Sequence, residues 1–145
     1  MGKWIEEFLT NTTYDKRCKD AQKIRDKYED RIPVIADVLN DADFIDEDNE
    51  SIAPLEKNKF LVPTDLQVKH VQEVIKRHLT KSAEAEETFF YRARIMNNNG
   101  EEMSIPLNEN DLISKVYDDV KGQTNEDAWD GYLYIIVMKE ETLGF

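Results

Sequence analysis

The spacing of apolar residues divides the first part of the chain into two helices and two strands. Apolar residues recur three and four positions apart over 4–10 and 14–28, which predicts two amphipathic helices. The β-branched run at 31–39, bounded by polar residues, predicts a strand. Because Pro33 cannot donate a backbone hydrogen bond, it favours either an edge position or the start of that strand. A second strand is predicted at 58–62, and the proline that follows it stops it.

A third helix is predicted at 65–79, after an acidic and aperiodic segment at 40–56 that we interpret as a loop. Thr64 or Asp65 is expected to cap this helix, because a short polar side chain can accept a backbone N–H of the first turn. The residues expected on its inner face share helical spacing and are Val68, Val71, Val74 or Ile75, and Leu79.

A hairpin is predicted to follow the third helix. The segment 88–96 predicts a third strand, and 101–105 predicts a fourth. Between them, Asn99-Gly100 is typical of a two-residue type I′ turn, which needs positive φ at both central residues.

The last two elements are a helix and an uncharged strand. Asn110 or Asn108 is expected to cap a helix over 111–120. The inner face of that helix is expected to contain Leu112, Ile113, Val116 and Tyr117. The run at 131–138 carries no charge, which indicates a strand buried on both faces at the centre of a sheet.

The order of these elements predicts the fold class. Without the first two helices, the order is strand, strand, helix, strand, strand, helix, strand, which is that of the β-grasp. We therefore predict an α+β protein, a ubiquitin-like β-grasp with two extra N-terminal helices. The expected parts are an N-terminal helical subdomain at 1–28, a β-grasp domain at 29–138 that contains the acidic insertion 40–56, and a flexible C-terminal tail at 139–145.

Composition excludes several classes of function. The 145 residues include 31 acidic and 19 basic side chains, and the net charge of −12 argues against nucleic acid as the main partner. No run approaches the ~18 apolar residues of a membrane span, and no secretory signal is expected. The single cysteine, Cys18, permits no intramolecular disulfide, which fits a reducing cytosol.

The charge is distributed unevenly along the chain. Residues 37–56 contain eight acidic and no basic side chains, whereas 57–81 contain six basic and two acidic ones. Residues 14–31 are also basic on balance, with seven basic and five acidic side chains. Solvated helix faces are a sufficient explanation of two such segments unless a partner is indicated by other observations.

No catalytic, metal or cofactor site is expected. Neither Asp41 nor Asp46 begins a segment with the ligand spacing of an EF-hand. His70 and His78 are eight positions apart, so they do not form the metal-binding pair of successive helical turns. Cys18 lies on the apolar stripe of the second helix, so we expect a buried and inert thiol. The glycine-rich nucleotide motifs and the G-x-S-x-G motif are absent from the sequence, so we expect a protein that is not an enzyme.

Four segments together resemble the autophagy ubiquitin-like modifiers, the family of the GABA-receptor-associated protein and of microtubule-associated protein light chain 3. The resemblance covers about residues 14–145, with insertions at 40–56 and near 97–110. It rests on the combination of the following segments: DKRCKDAQKIRDKYEDRIPVI, KNKFLVPTDLQV, TFFYRARIM and DGYLYIIV with a later ETLGF.

The resemblance implies conjugation to a lipid. A dedicated cysteine protease would remove Phe145, and a ubiquitin-like activating enzyme and a conjugating enzyme would then join Gly144 to phosphatidylethanolamine. The protein is accordingly expected in the cytoplasm and, after lipidation, on autophagosomal membranes.

The resemblance also implies recognition of acidic-aromatic motifs in receptor and adaptor proteins. Such a motif would add as a strand to the predicted edge strand near 57–62, where backbone bonds supply affinity and two pockets read its side chains. The first pocket maps to Asp20, Ile24, Pro33, Ile35, Lys59, Leu61 and Tyr132. The second maps to Phe60, Val62, Pro63, Leu66, Val71, Val74 and Ile75. The acids of the motif would be received by Arg31, Lys57 and Lys59.

Many of these apolar residues could equally be core. For Ile35, Leu66 and Ile75 the two interpretations are balanced, whereas Phe60, on an edge strand, favours the pocket over the core. Strand alternation predicts that Lys59 and Leu61 point to one face of the sheet and that Phe60 and Val62 point to the other.

Two alternatives to lipid conjugation stay open at this point. One is a ubiquitin-like interaction domain that is never conjugated. The other is a modifier joined to a protein lysine, against which Phe145 argues, because the family's relative of that kind ends directly in glycine.

Overall fold

A computed structural model describes residues 2–39, 55, 57–78 and 89–138 of the chain. Four helices and five strands are present in this part, in nearly the predicted positions. The elements in chain order are α1 (Lys3–Asn11), α2 (Tyr14–Lys27), β1 (Arg31–Val38), β2 (Lys59–Pro63), α3 (Val68–Arg77), β3 (Phe90–Met96), β4 (Glu102–Pro106), α4 (Ile113–Gln123) and β5 (Leu133–Met138).

The five strands form one mixed sheet in the order β2-β1-β5-β3-β4. β1 and β5 run parallel, and the other neighbours run antiparallel. β5 is central and every one of its residues is buried, as its uncharged sequence predicts. β2 and β4 are the edge strands, and each ends at a proline, Pro63 and Pro106. This arrangement confirms the predicted α+β class.

The sheet has an apolar cluster on each face. Leu133, Ile135 and Val137 of β5 pack with α3 and α4, on what we call the α3/α4 face. Tyr134 and Ile136 pack with α1 and α2, on the α1/α2 face. Successive strand residues point to opposite sides, so the single strand β5 supplies both clusters.

Pro33 is the third residue of β1, a strand that is not at the edge of the sheet. β1 lies between β2 and β5, so the predicted edge position is wrong, and the strand starts two residues before Pro33, at Arg31. Pairing with β5 begins one residue after Pro33, at Val34 opposite Leu133. The N–H that proline lacks is therefore not required by the parallel ladder.

The starts of α3 and α4 differ from the predicted caps. The N-cap residues are Gln67 and Leu112, not Thr64 or Asp65 and not Asn108 or Asn110. An antiparallel bridge joins Gln67 to Leu112 and explains the difference. It directs the first helical N–H groups to carbonyls of the other loop: Val68 N donates to Asp111 O at 2.9 Å, and Ile113 N donates to Leu66 O at 2.8 Å.

Leu112 itself is 46% exposed, so its expected place on the inner face of α4 is wrong. As the N-cap it precedes the helix, and its neighbour Ile113 is the first buried residue of α4. The spacing of the inner face is otherwise confirmed by Val116 and Tyr117, both of which are buried.

The predicted hairpin is present between β3 and β4, but its loop has three residues instead of two. Asn97 N donates to Glu101 O at 2.9 Å, which makes these two residues the last pair before residues 98–100. Gly100 has φ of +78°, a conformation that glycine adopts without strain. The side-chain oxygen of Asn97 accepts the N–H groups of Asn99 and Glu101 and so holds the longer loop closed.

Among these helices, none is both long enough and apolar enough to cross a membrane.

Candidate functional site

The predicted peptide edge is strand β2, and its side chains alternate as expected. Lys59 and Leu61 are exposed, whereas Phe60 and Val62 are buried. The exposed pair belongs to the α1/α2 face, because Lys59 lies opposite Ile35 of the cluster on that face. β2 therefore presents one cationic and one apolar side chain beside an edge with which no other described strand pairs.

The backbone of β2 offers hydrogen-bonding groups at this edge. The bonds from Ala36 N to Asn58 O and from Thr64 N to Asp30 O frame the ladder with β1. In an antiparallel pair the bonding direction alternates, so the residues between Asn58 and Thr64 that point inward are the even-numbered ones. The N–H and C=O groups of Lys59 and Leu61 point outward. Within the described ranges, no strand pairs with them.

The structure brings the residues of the first predicted pocket to one face of the sheet. α2 supplies Asp20 and Ile24, β1 supplies Pro33 and Ile35, β2 supplies Lys59 and Leu61, and Tyr132 precedes β5. In the β1–β2 register Pro33 lies opposite Leu61. Burial raises the pKa of the Tyr132 hydroxyl, and the nearby carboxylates of Asp20 and Asp130 raise it further.

Most of this first set forms the floor of the site and not its surface. Pro33, Ile35 and Tyr132 are buried, and Ile24 packs partly exposed against the same cluster. Leu61 is 42% exposed and is the large apolar side chain of the set that a partner can reach directly.

Sequence reasoning missed the contribution of α1 to this site. The ring of Phe8 meets the ring of Tyr132 edge-on, with 6.1 Å between centroids, and stacks on Trp4 at 5.3 Å. The Nζ atom of Lys59 lies 5.0 Å from the centroid of the Phe8 ring. The apolar stripe of α1 gave the available signal, because it places Trp4, Ile5 and Phe8 on one side of the helix.

The residues of the second predicted pocket other than Pro63, the last residue of β2, belong to the cluster on the opposite face, between β2 and α3. They divide into a buried group and a partly exposed group. The buried residues are Phe60, Val62, Val71 and Ile75, and the partly exposed ones are Pro63, Leu66 and Val74. The structure thus places the first group in the core, so only the second group lies where a partner can contact it.

Phe60 corrects the expectation that it lines a pocket at the surface. It is only 5% exposed, because His78 covers it edge-on at 5.4 Å between centroids, and Lys57 places its Nζ atom 5.2 Å from the ring. The C-terminal end of α3 therefore closes over an edge-strand aromatic that the sequence alone leaves exposed.

The three predicted cations are distributed along β2. Arg31 lies at one end, opposite Pro63, and its carbonyl accepts a bond from Arg25 Nη1 at 2.6 Å. Lys57 precedes the other end, and Lys59 lies between them on the strand; both lysines are exposed. Two of the three cations therefore lie near the start of β2, and the third lies beside its end.

A buried polar network under Tyr132 was also missed. The Asp130 carboxylate is 5% exposed and accepts bonds from Arg17 Nε at 3.0 Å, from Tyr132 N at 3.0 Å and from the Tyr134 hydroxyl. Burial raises the pKa of Tyr134, and Asp130 raises it further. In the sequence Asp130 is one of many acidic residues, so only its contacts identify it.

The remaining candidates from the sequence are the Cys18 thiol and possible metal ligands. Cys18 is half-buried and not fully buried as expected, and its thiol lies 3.9 Å from Trp129 O. A hydrogen bond with Cys18 raises the pKa of Tyr14 to about 12. No cluster of metal-ligating side chains occurs in the described ranges. Residues 40–54 and the pair Gly144 and Phe145 lie outside those ranges.

Comparison with known proteins finds one family along nearly the whole chain. A family model described as autophagy protein Atg8, ubiquitin-like, matches residues 16–144. Autophagy-related protein 8e of Arabidopsis thaliana is 32% identical over 137 residues, which cover 94% of this chain and 92% of that protein. Autophagy-related protein 8 of Schizosaccharomyces pombe is 32% identical over 138 residues, covering 95% and 93%.

Solved structures give the same result. Plasmodium falciparum Atg8, in complex with a Plasmodium falciparum Atg3 peptide, superposes with a TM-score of 0.66 at 26% identity, covering 94% of this chain and 98% of that one. Trypanosoma brucei ATG8 superposes with a TM-score of 0.64 at 27% identity, covering 95% and 97%.

Proposed function

The chain belongs to the Atg8 family of autophagy ubiquitin-like proteins, and from this premise we propose a function in two parts. The first part is conjugation of Gly144 to phosphatidylethanolamine, which moves the protein from the cytoplasm to the autophagosomal membrane. The second part is recruitment to that membrane of receptor and adaptor proteins that carry short acidic-aromatic motifs.

The outward backbone of β2 is the observation that carries the recruitment proposal. Lys59 and Leu61 direct their N–H and C=O groups away from β1. An extended peptide that pairs with this edge gains main-chain bonds whatever its sequence, so its side chains must supply the specificity. The aromatic residue of the motif would contact Leu61 and the floor formed by Ile35 and Tyr132, and its acids would meet the cations along the strand.

The Plasmodium falciparum structure supports a related docking event, because that Atg8 is in complex with an Atg3 peptide. We extend this to a peptide segment of the conjugating enzyme of the present chain, which would use the same edge before the receptors do. One strand edge would then serve successive partners, each with the same backbone pairing.

The conjugation proposal is supported by the family match, which ends at Gly144. The processing protease would hydrolyse the Gly144–Phe145 peptide bond and release Phe145. The activating enzyme would adenylate the freed Gly144 carboxylate with ATP, releasing pyrophosphate, and its thiol would then displace AMP to form a thioester. After transfer of the thioester to the conjugating enzyme, the ethanolamine amine would displace that enzyme's thiol to form an amide. Glycine, which lacks a Cβ, suits the narrow channels that such enzymes need around this bond.

The recruitment proposal is tested by removing one outward N–H from the edge. Leu61→Pro deletes the donor but leaves the inward ladder intact, because proline is tolerated at an edge where its N–H would face solvent. Leu61→Ala, which keeps the donor, is the matched control for loss of the side chain. For an acidic-aromatic peptide measured by calorimetry, we expect a loss of more than about tenfold in Leu61→Pro, and a smaller one in Leu61→Ala. Equal losses would contradict strand addition.

The conjugation proposal is tested by the intact mass of protein recovered from native cells. We expect the mass of a chain that has lost Phe145, with a lipid-bearing form in the membrane fraction. Gly144→Ala should remain at full mass and outside that fraction. A wild-type chain that retains Phe145 in all fractions would favour the alternative, an interaction domain that is never conjugated.

A further inference from the structure

Lys59 is already engaged by a residue of α1. Its Nζ atom lies 5.0 Å from the centroid of the Phe8 ring, at a distance where the ammonium is attracted to the face of an aromatic ring. Phe8 is itself held between Tyr132 and Trp4. A long and exposed lysine side chain is therefore directed by a ring that belongs to a different element.

The N-terminal end of α1 is fixed to the sheet. The Asp37 carboxylate of β1 is 4% exposed and accepts the N–H of Ile5 at 3.0 Å and that of Val38 at 2.8 Å. The negative charge of a carboxylate at this end is also attracted to the positive end of the helix dipole. Gly2 packs so closely against Asp37 and the Val38 carbonyl that a Cβ at Gly2 would overlap them.

The C-terminal end of α1 is fixed by the network under Tyr132. Arg17 of α2 donates from Nη1 to Leu9 O at 3.3 Å and to Thr12 O at 2.9 Å, and its Nε donates to the buried Asp130. Because Asp37 holds one end of α1 and Arg17, itself bonded to Asp130, holds the other, Phe8 lies on a helix that is anchored before any partner arrives.

We infer that Phe8 is a positioning residue that holds the Lys59 ammonium at the mouth of the first pocket, ready for an acidic residue beside the motif's aromatic anchor. This inference rests on the proposed peptide site and states which motifs that site would prefer. The contact with the ring leaves the charge of Lys59 unchanged and its N–H donors available to a carboxylate. It reduces the number of conformations that the lysine must lose on binding, which favours acidic motifs over neutral ones.

The opposite role for α1 would be that of a lid, with Phe8 occupying the place of the motif's aromatic residue. The two roles predict opposite signs for Phe8→Leu, which keeps apolar bulk but removes the ring. A positioning residue would lose affinity on this substitution, whereas a lid would gain it.

The experiment compares two synthetic peptides that share an aromatic motif, one with acidic flanking residues and one with the corresponding amides. For the acidic peptide, Phe8→Leu should weaken binding about two- to fivefold, the range expected for loss of an exposed cation–π contact, with little change for the amide peptide. Phe8→Tyr should restore the difference between the peptides. In a Lys59→Met background, Phe8→Leu should cause no further loss. Phe90→Leu, the same change at an exposed aromatic on β3, is the control.

A second measurement needs no peptide and excludes misfolding as the cause. The face of the Phe8 ring should shift the Lys59 ε-methylene proton resonances upfield in the wild-type chain and in Phe8→Tyr, but not in Phe8→Leu. Gly2→Val, which displaces the start of α1 without changing either residue, should also abolish the shift.

The outcomes separate this inference from the function on which it rests. Tighter binding by Phe8→Leu, equal losses for both peptides, or unshifted Lys59 resonances would overturn the role of Phe8 alone. Failure of the wild-type chain to bind either peptide would overturn the proposed peptide site. The specificity that we assign to this site would then fail as well.

Discussion

The two faces of the sheet bury different kinds of side chain. The cluster on the α3/α4 face consists of apolar and aromatic residues. The buried polar and charged residues of the described chain are Asp37, Ser104 and Asp130, and all three belong to the α1/α2 face. Asp37 bonds to α1, Asp130 bonds to α2, and Ser104 bonds to Arg92, which lies opposite Ile136.

This difference separates two tasks within one sheet. An apolar interface gains its stability from buried area and tolerates small shifts, because the hydrophobic effect has no direction. Buried carboxylates cost desolvation and are stable only when their hydrogen bonds are made, so they fix the geometry of what they contact. The α3/α4 face thus stabilises the fold by apolar burial, whereas the α1/α2 face adds to its apolar cluster buried carboxylates that position the helices beside the proposed peptide edge.

Removal of the Asp130 carboxylate should produce the largest effect, because it breaks the polar face at its centre. Asp130→Ala leaves Arg17 without its buried partner, which typically costs about 3–5 kcal/mol. We expect the free energy of unfolding, measured with denaturant, to fall by that amount. The upfield shift that the Phe8 ring causes in the Lys59 resonances should also disappear. Arg17→Met with Asp130→Leu, which replaces both partners by apolar groups, should recover much of the stability. A small loss in Asp130→Ala would show that the network is not tightly coupled.

A cavity on the apolar face should lower stability by a comparable or smaller amount and leave the site intact. Ile135→Ala removes a side chain that is 1% exposed, at a typical cost of about 2–5 kcal/mol in the free energy of unfolding. At temperatures where the variant remains folded, discrimination between acidic and amide peptides should equal that of the wild type. Altered discrimination would mean that the two faces are not independent.

The acidic insertion offers a test in which only the charge of the chain is altered. Neutralising Asp43, Asp46, Glu47 and Asp48 together should tighten binding of an acidic peptide several-fold, an effect on the order of 1 kcal/mol, the size typical of surface charge pairs in proteins. The gain should appear in the association rate and vanish at high salt, because screened charges cease to steer encounter. Stopped-flow measurements at low and high salt test this, and unchanged or weaker binding would assign the insertion another role.

The smallest effect concerns the pH dependence that Asp37 contributes. Burial raises the pKa of this carboxyl, although backbone bonds from Ile5, Val38 and Trp4 oppose the shift. A raised pKa in the folded state means that the group's contribution to stability is present below its unfolded pKa and is lost as pH rises through its folded pKa. The unfolding free energy of the wild type relative to Asp37→Asn should therefore increase as pH falls from 7 towards 4. A decrease in this relative free energy as pH falls would mean that the backbone hydrogen bonds to the Asp37 carboxylate outweigh the effect of its burial.

Sequence patterns predicted the structure correctly where the environment of an element follows from its own residues. The uncharged run at 131–138 specified the central strand, and alternation along 59–62 specified which residues of β2 face solvent. Both rest on the period of two that the backbone of a strand imposes on its side chains. These patterns needed no knowledge of what lies across the sheet.

They failed where the partner is distant along the chain. The caps of α3 and α4 could not be predicted, because Val68 N and Ile113 N bond to residues more than forty positions away. Phe8 was missed for the same reason, since its contacts with Lys59 and Tyr132 depend on where α1 docks. The position of α1 depends in turn on Asp37, which the sequence does not distinguish from thirty other acids.

The prolines that end both edge strands limit how copies of the chain can associate. By the alternation of the ladders, Pro63 of β2 and Pro106 of β4 each occupy an outward position, where the missing N–H would have faced a further strand. Each edge therefore offers a short ladder that has lost its last donor, a device that discourages edge-to-edge growth of sheets. Such an edge has room for one brief strand from a partner while resisting the continuous pairing that leads to fibrils.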